Sequence, residues 1–282
     1  MKKSPGTVKL RIAAIRSKHL SLGLPDPLYY MPRVPLALSG LKRRWGTPER
    51  RLPVTPEMLT WLHDNLKPKS FAADALLWAA VCLGFFFLLR ASEFLEVGYR
   101  VPHRGLAGRH LVLQKQGRPI SRCELGSADE LVITVQGSKT DVYNKGESRN
   151  HFKVPEGEPN SGLCVVRAVE FLFHHFPDRM PGGVDQDLPA LTELDGRLMS
   201  RETVQTALQM AAKALGFDES RLGSHSLRFG GASALWAAYH DSGLVRRWGR
   251  WASDTFQSYI WEGRKGSHGV ATAMGKADLT PT

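Results

Sequence analysis

The chain has 282 residues and a formal net charge of +11, from 38 lysines and arginines against 27 acidic residues. Its hydrophobic content of 42% is enough for a buried core, and the positive balance favours a polyanionic partner. Three cysteines, Cys82, Cys123 and Cys164, are far apart in sequence. Their odd number argues against a disulfide framework, and their spacing does not match a metal site, so we expect a reducing, intracellular setting.

An uncharged apolar run covers residues 75–89. It is shorter than the roughly 20 residues that span a bilayer, and charged residues lie close on both sides of it. The amino-terminal residues 1–6 also lack the apolar core of a signal peptide. We therefore expect a buried core helix here and no membrane partner.

Apolar residues recur at helical spacing along most of the chain. Gly23 and Pro25 end the first helix, and Thr55 followed by Pro56 is a strong helix start. The pattern predicts helices at about residues 7–22, 36–45, 56–66, 70–90, 162–175, 200–215, 225–239, 241–248 and 253–261. Alternating or β-rich segments predict strands at about residues 109–115, 130–136 and 150–154. The predicted fold class is mainly α with a small antiparallel β-sheet, an α+β protein.

A basic, proline-containing linker at residues 46–53 separates the first two predicted helices from the rest of the chain. No internal repeat divides the remainder further. The sequence therefore predicts a short helical domain at residues 1–50 and a larger domain at residues 51–282.

Arg90 closes the apolar run, in the segment Leu88-Leu-Arg-Ala-Ser-Glu-Phe94. An arginine that enters a core is costly unless it is paired. In one interpretation it pairs with Glu93, which shares its helix face at i+3. In the other, the apolar helix holds the guanidinium rigidly, so that its fork of donors binds two phosphate oxygens.

His225 and Arg228 are three residues apart, in Gly223-Ser-His-Ser-Leu-Arg-Phe-Gly-Gly231, and so share a helix face. A lone His-x-x-Arg also occurs on ordinary helix surfaces. Gly230 and Gly231 make the motif more specific, because a glycine inside a helix costs about 1 kcal/mol relative to alanine. A close backbone approach to another element would explain both glycines.

Tyr259 and Lys139 are two further candidates. A predicted helical hairpin separates Tyr259 from Arg228 in the sequence, and this hairpin can bring the two residues side by side. As a nucleophile its hydroxyl needs activation, since its reference pKa is about 10, and clustered arginines would favour the phenolate. A tyrosine that packs against the domain is the alternative. Lys139 lies in the predicted turn Gly137-Ser-Lys-Thr-Asp141, either as a solvated side chain or as an acid that protonates a departing oxygen.

The order of these residues resembles the tyrosine recombinase (phage integrase) superfamily. The matching features are an arginine followed by Ser-Glu, a lysine on a hairpin, His-x-x-Arg-x-Gly-Gly, Gly-x-Trp and then tyrosine. The form Gly249-Arg-Trp-Ala-Ser253 is most similar to recombinases of Crypton- and DIRS-type mobile elements. The resemblance covers about residues 52–262 and implies the integrase catalytic fold. It also implies that residues 1–50 are part of a helical core-binding domain.

The resemblance implies six catalytic residues: Arg90, Lys139, His225, Arg228, Trp251 and Tyr259. Arg90 and Arg228 would bind the non-bridging oxygens of the scissile phosphate. Lys139 would protonate the leaving 5′ hydroxyl.

The remaining roles concern the nucleophile. Tyr259 would form a 3′-phosphotyrosyl bond, and His225 would assist its proton transfer. Trp251 would occupy the position that is His or Trp across the family, whereas a register shifted by one residue would place Arg250 there. The implied reaction needs no metal, ATP or other cofactor.

Basic residues outside this set fit contacts to the DNA backbone, which position a protein without reading sequence. They crowd the predicted linker and the segment before the tyrosine: Lys42, Arg43, Arg44, Arg50, Arg51, Arg246, Arg247 and Arg250. An ordinary solvated charged surface is the alternative.

The predicted function is a strand transferase that breaks and rejoins DNA in site-specific recombination or DNA integration. The resemblance implies double-stranded DNA as the partner, self-association into a synaptic tetramer, and a location with DNA in the nucleus or nucleoid. An inactive DNA-binding protein derived from a mobile element is the alternative. A type IB topoisomerase fits less well, because the chain is short and lacks a long linker before the tyrosine.

Overall fold

The computed structural model of the chain describes residues 4–45, 50–96, 105–136 and 146–261. It divides into two units, Met1–Arg50 and Arg51–Thr282. The first unit contains helices α1 (Pro5–Ser21) and α2 (Arg33–Trp45). Helix α2 begins earlier than the sequence predicts, because Pro35 lies in its first turn, where a missing N–H breaks no helical bond. Among the described residues of this unit, neither helix buries a side chain.

The second unit is mainly helical and carries one small sheet, which confirms the predicted fold class. Its helices are α3 (Pro56–Asn65), α4 (Ala72–Phe86), α5 (Ala91–Phe94), α6 (Val165–His175), α7 (Arg201–Ala214), α8 (His225–Tyr239) and α9 (Ser242–Trp248). Its strands are β1 (Leu111–Lys115), β2 (Arg118–Pro119), β3 (Glu130–Val135) and β4 (Glu147–Phe152). A 3₁₀ helix, Asp254–Tyr259, follows α9.

Helix α4 is the centre of the core. Nearly all of its side chains from Ala75 to Phe85 are buried, as expected for a helix that is apolar on every face. It packs against α6 and α8, and α3 packs against α7. Within the described ranges, no helix is long and apolar enough to cross a membrane.

The sheet is antiparallel throughout, in the order β2-β1-β3-β4. Strand β3 alternates buried and partly exposed residues, and its buried face packs with β1 against α6. The sequence does not predict β2, and it places the last strand at residues 150–154, three residues later than its observed start. The turn that holds Lys139 lies outside the described residues.

The apolar helix is shorter than the sequence predicts. Residues 70–90 read as one helix, but α4 ends at Phe86, and Leu88 has a left-handed φ of 51°. The freed carbonyls of Phe87 and Leu88 accept hydrogen bonds from the guanidiniums of Arg250 and Arg228. Distant side chains therefore satisfy the groups that would otherwise continue the helix.

Candidate active site

Helix α8 presents His225 and Arg228 at its amino-terminal end. The loop before it is fixed by two short-range bonds, since the Ser226 hydroxyl accepts from the Gly223 N–H at 3.1 Å and the Ser226 N–H donates to the Gly223 carbonyl at 2.8 Å. The Val54 N–H also donates to the Ser226 carbonyl at 3.0 Å. The first turn of α8 is thus held from both its own loop and the segment before α3.

The two glycines of α8 permit a close backbone approach, as the sequence predicts. A Cβ on Gly230 would lie 2.1 Å from the Val54 carbonyl oxygen, and one on Gly231 would lie 2.0 Å from that of Phe85. Both contacts are with backbone atoms, so no side-chain rotation could relieve them. Gly231 therefore brings α8 against α4, and Gly230 brings it against the segment before α3.

Arg228 is completely buried. Its Nη1 donates to the Leu88 carbonyl and its Nη2 to the Gly249 carbonyl. Burial, with the nearby charges of Arg90 and Arg250, holds the pKa of Arg228 below its ordinary value. Its Nε is buried and has no acceptor among the described residues.

The Trp251 ring covers Arg228. The guanidinium carbon lies 4.2 Å from the ring centroid, which is cation–π geometry. Gly249 makes this possible, because a Cβ there would lie 1.5 Å from a Trp251 ring atom. Trp251 and Arg250 are the two candidates for the position that is His or Trp across the family. Trp251 contacts Arg228, whereas Arg250 contacts Phe87 and Glu93.

Tyr259 lies beside His225, with its hydroxyl 3.2 Å from His225 Nε2. Its ring stacks on Phe229 at a centroid distance of 4.7 Å and contacts Trp251 at 5.0 Å. The Ser233 hydroxyl lies 3.3 Å from the Tyr259 carbonyl oxygen and accepts from the Trp261 N–H at 2.8 Å. Helix α8 therefore positions both the ring and the backbone of the tyrosine segment.

His225 is electrically neutral at pH 7 in this arrangement. Its pKa falls to about 4, first because burial disfavours the imidazolium and then because Arg228, Arg51 and Arg90 repel a further positive charge. A neutral imidazole with Nε2 at the tyrosine hydroxyl can accept a proton from it.

Arg90 lies between α4 and α5, as the residue directly before α5. The structure shows the pairing with Glu93 that one interpretation predicts, and the phosphate contact of the other stays a prediction. Its Nη1 pairs with Glu93 Oε1 at 2.8 Å, and its side chain keeps 23% exposure. It is also close enough to His225 and Arg228 to lower the pKa of each. The structure thus brings five of the six predicted catalytic residues into one region, while Lys139 lies outside the described residues.

Arg250 corrects one prediction. The sequence assigns it to DNA-backbone contacts, but it is buried, and its Nη2 pairs with Glu93 Oε2 at 2.6 Å. A guanidinium that already has a buried carboxylate partner is not a surface contact for a phosphate. The local sequence, with three arginines in five residues, gives no sign of which one points inward.

The other predicted backbone contacts are exposed. In the second unit these are Arg51, Arg246 and Arg247, and in the first unit Lys42, Arg43, Arg44 and Arg50. Arg51 has an additional feature, because a Cβ on Gly223 would lie 2.2 Å from its Nη1. Its guanidinium therefore lies across Gly223 at the start of α8, and its charge acts on His225.

Comparison with solved structures identifies the architecture. The XerH site-specific recombinase bound to difH substrate, in a pre-cleavage complex, matches with a TM-score of 0.50 and 15% identity over 80% of this chain and 53% of that one. Its post-cleavage complex with palindromic difH matches with a TM-score of 0.53 and 15% identity over 81% and 55%. The chain has the tyrosine recombinase fold. This confirms the sequence resemblance at the level of the fold, whereas the link to Crypton and DIRS elements stays a prediction.

The recombinase fold is reached with little sequence similarity. XerA recombinase also matches, with 15% identity and a TM-score of 0.47 over 98% of this chain and 78% of that one. The chain spans just over half of the length of the XerH chain. No family model matches the sequence, and no curated protein matches it.

Sequence reasoning missed Phe229 within this recombinase fold, and it predicted only one of the two pairs that Glu93 makes. Phe229 stacks on Tyr259 and contacts the His225 ring edge-on at 5.3 Å. Its position four residues after His225, on the same helix face, was a usable signal. Glu93 pairs with both Arg90 and Arg250, and only the first of these pairs is visible as a local spacing.

Proposed function

We propose that the chain is a strand transferase that cleaves and rejoins double-stranded DNA through a covalent bond between Tyr259 and a 3′ phosphate. The observation that carries the proposal is the 3.2 Å contact between the Tyr259 hydroxyl and neutral His225, beside Arg228, in a recombinase fold. The solved relatives support it, since XerH is described as a site-specific recombinase bound to a DNA substrate.

In the first step the Tyr259 oxygen attacks the scissile phosphorus. His225 Nε2 accepts the hydroxyl proton, a new phosphorus–oxygen bond forms, and the bond to the 5′ oxygen breaks. Lys139 supplies the proton that the departing 5′ oxygen needs, a role that comes from the sequence resemblance. In the second step another 5′ hydroxyl gives its proton to Lys139 and attacks the phosphorus, and the bond to Tyr259 breaks as His225 returns the proton to the tyrosine oxygen. One phosphodiester is exchanged for another, so the step conserves bond energy.

Arg90 and Arg228 stabilise the negative charge of the phosphorane. A pair of fixed guanidiniums can bind two non-bridging oxygens without reorganising during the reaction. The buried Nε of Arg228 lacks an acceptor among the described residues, and a phosphate oxygen would supply one. Arg228 is completely buried, so a phosphate reaches this Nε only after a local shift of the side chains around it, which include the Trp251 ring.

The exposed arginines before the tyrosine would hold the DNA backbone next to the cleaved phosphate. Arg246 and Arg247 are on α9, and Arg51 is beside the start of α8. Recombination joins strands from two duplexes, so the proposal includes several copies of the chain on DNA, as in a synaptic tetramer. A chain that acts on DNA would reside with it, in a nucleus or nucleoid.

A pool of nicked DNA duplexes of random sequence tests the proposal. Cleavage next to the nick releases a short fragment, which prevents rejoining and traps the protein on DNA. We expect a covalent adduct that survives denaturation with the parent protein and is absent from Tyr259→Phe. Tyr239→Phe is the matched control, because it removes the same hydroxyl from a tyrosine that is 67% exposed at the far end of α8.

The outcomes separate the alternatives. A parent protein that binds the pool but forms no adduct is a DNA-binding protein without the chemistry. An adduct in Tyr259→Phe would show that another residue is the nucleophile. Relaxation of a supercoiled plasmid without any joining between two duplexes would identify a type IB topoisomerase.

A further inference from the structure

Arg250 makes a buried bridge that the reaction scheme does not use. Its side chain is 1% exposed, and that of its partner Glu93 is 6% exposed. It donates to Glu93 Oε2 at 2.6 Å and to the Phe87 carbonyl at 3.3 Å. Its φ of 54° is unusual for a residue with a side chain, so the surrounding contacts hold this backbone in place.

Glu93 divides its two carboxylate oxygens between two arginines. Oε1 accepts from Arg90 Nη1 at 2.8 Å, while Oε2 accepts from the Arg90 backbone N–H at 2.8 Å and from Arg250 Nη2. The Glu93 carbonyl accepts from the Leu106 N–H at 2.8 Å, which fixes the residue from its other side. One carboxylate therefore faces two guanidiniums, and the group of three keeps one net positive charge.

The two arginines differ in what they can reach. Arg250 is enclosed, whereas the Arg90 side chain keeps 23% exposure. Only the Nη1 of the Arg90 guanidinium makes a hydrogen bond to a described residue. The net positive charge of the group is therefore available on the side where Arg90 is open.

We propose that Arg250 is a positioning residue, which neutralises Glu93 so that Arg90 keeps its charge for the scissile phosphate. Without Arg250, Arg90 is the one guanidinium that Glu93 contacts among the described residues, and this pair carries no net charge. Arg250 also ties the segment of Trp251 to the helix end that carries Arg90. This inference rests on the proposed function, because it concerns the phosphate that Arg90 binds.

Three variants test the charge argument. Arg250→Met removes the charge at similar length, and the backbone strain at φ 54° is the same for both residues. Arg250→Lys keeps the charge and is the conservative variant. The double variant Arg250→Met with Glu93→Gln removes both charges and leaves the positive charge of Arg90 without a carboxylate partner.

Rates of adduct formation on the nicked duplex are the first measurement, taken per folded molecule. We expect Arg250→Met to be about 10- to 100-fold slower, a smaller loss than the roughly 100- to 1,000-fold that removal of a whole donor to a developing anion costs. The lysine variant retains most of the rate. The double variant recovers most of what Arg250→Met loses, which a merely structural role would not produce.

DNA affinity as a function of salt is the second measurement and needs no catalysis. Each variant is combined with Tyr259→Phe, and binding to the same nicked duplex is titrated at several salt concentrations. The slope of log K against log salt is negative, and one fewer phosphate contact reduces its magnitude by about 0.9. We expect this reduction in Arg250→Met and its reversal in the double variant.

Together, the two measurements distinguish failure of the proposed function from failure of the inference about Arg250. If the parent forms no adduct while the salt slopes change as expected, the catalytic proposal is wrong and the inference stands. If the parent forms the adduct and Arg250→Met matches it in both rate and slope, the inference is wrong and the function stands. A double variant that is as slow as Arg250→Met, or slower, while folded also overturns the charge argument.

Discussion

Replacing Gly231 with alanine would force α8 away from α4. The added Cβ would lie 2.0 Å from the Phe85 carbonyl oxygen, whereas ordinary contacts begin at 3.4 Å, so the two backbones must separate by about 1.4 Å. Overpacking of this kind costs up to about 3 kcal/mol, and alanine regains about 1 kcal/mol of helix propensity over glycine. We expect a net loss of about 2 kcal/mol in the free energy of unfolding.

The same displacement disturbs the site, because α8 carries His225 and Arg228. A misplacement of about 1 Å can cost on the order of 100-fold in rate when a reaction depends on orientation. We therefore expect Gly231→Ala to form the tyrosine adduct about 100-fold more slowly, at a temperature where it is still folded. A loss of this size in a folded protein would come from geometry, since the variant removes no functional group.

Urea unfolding followed by circular dichroism measures the first effect, and the nicked-duplex assay measures the second. Gly40→Ala is the matched control, because it lies inside α2 with nothing within 4 Å of the added Cβ. The control should unfold at the same or a higher urea concentration than the parent. A Gly231→Ala protein that matches the parent in both stability and adduct rate would refute the reasoning.

Two further predictions concern the charge around His225. The pKa of His225 is about 4 in the folded chain, below the ordinary 6.5. Between pH 6.5 and pH 4 the unfolded chain therefore binds a proton that the folded chain does not. The free energy of unfolding falls as the pH falls through this window, and above pH 6.5 it is not reduced by His225. The parent should lose about 3 kcal/mol more than His225→Asn between pH 7 and pH 4 in urea unfolding, and equal losses would contradict this. Arg51→Gln removes a repelling charge and should raise the pKa of His225 in an NMR titration. An unchanged pKa would show that the Arg51 charge does not act on His225.

Local signals account for the parts of the fold that the sequence predicts well. Helix α8 is predicted at residues 225–239 and observed at His225–Tyr239. Its glycines are explained in advance by a close backbone approach, because a glycine pair inside a helix has few other physical reasons. The continuous apolar pattern likewise identifies α4 as the core helix.

The parts that the sequence does not predict depend on contacts between distant residues. The pattern does not show that α4 ends at Phe86, because Arg228 and Arg250, more than a hundred residues later, satisfy the carbonyls exposed there. The inward turn of Arg250 depends on Glu93 in the same way. The helix predicted at residues 253–261 is a 3₁₀ helix, Asp254–Tyr259, and its placement comes from packing on α8.

The sequence distance between these partners has a consequence for biosynthesis. Arg228 reaches a carbonyl 140 residues earlier in the chain, and Arg250 reaches a carboxylate 157 residues earlier. A growing polypeptide cannot close the site until nearly all of the described chain has left the ribosome, even if α4 and the sheet have already folded. The helix end at Phe86 then stays open, with its carbonyls in water, until the carboxy-terminal arginines arrive. An incomplete chain would therefore lack Tyr259 and also the two arginines that satisfy the carbonyls at this helix end.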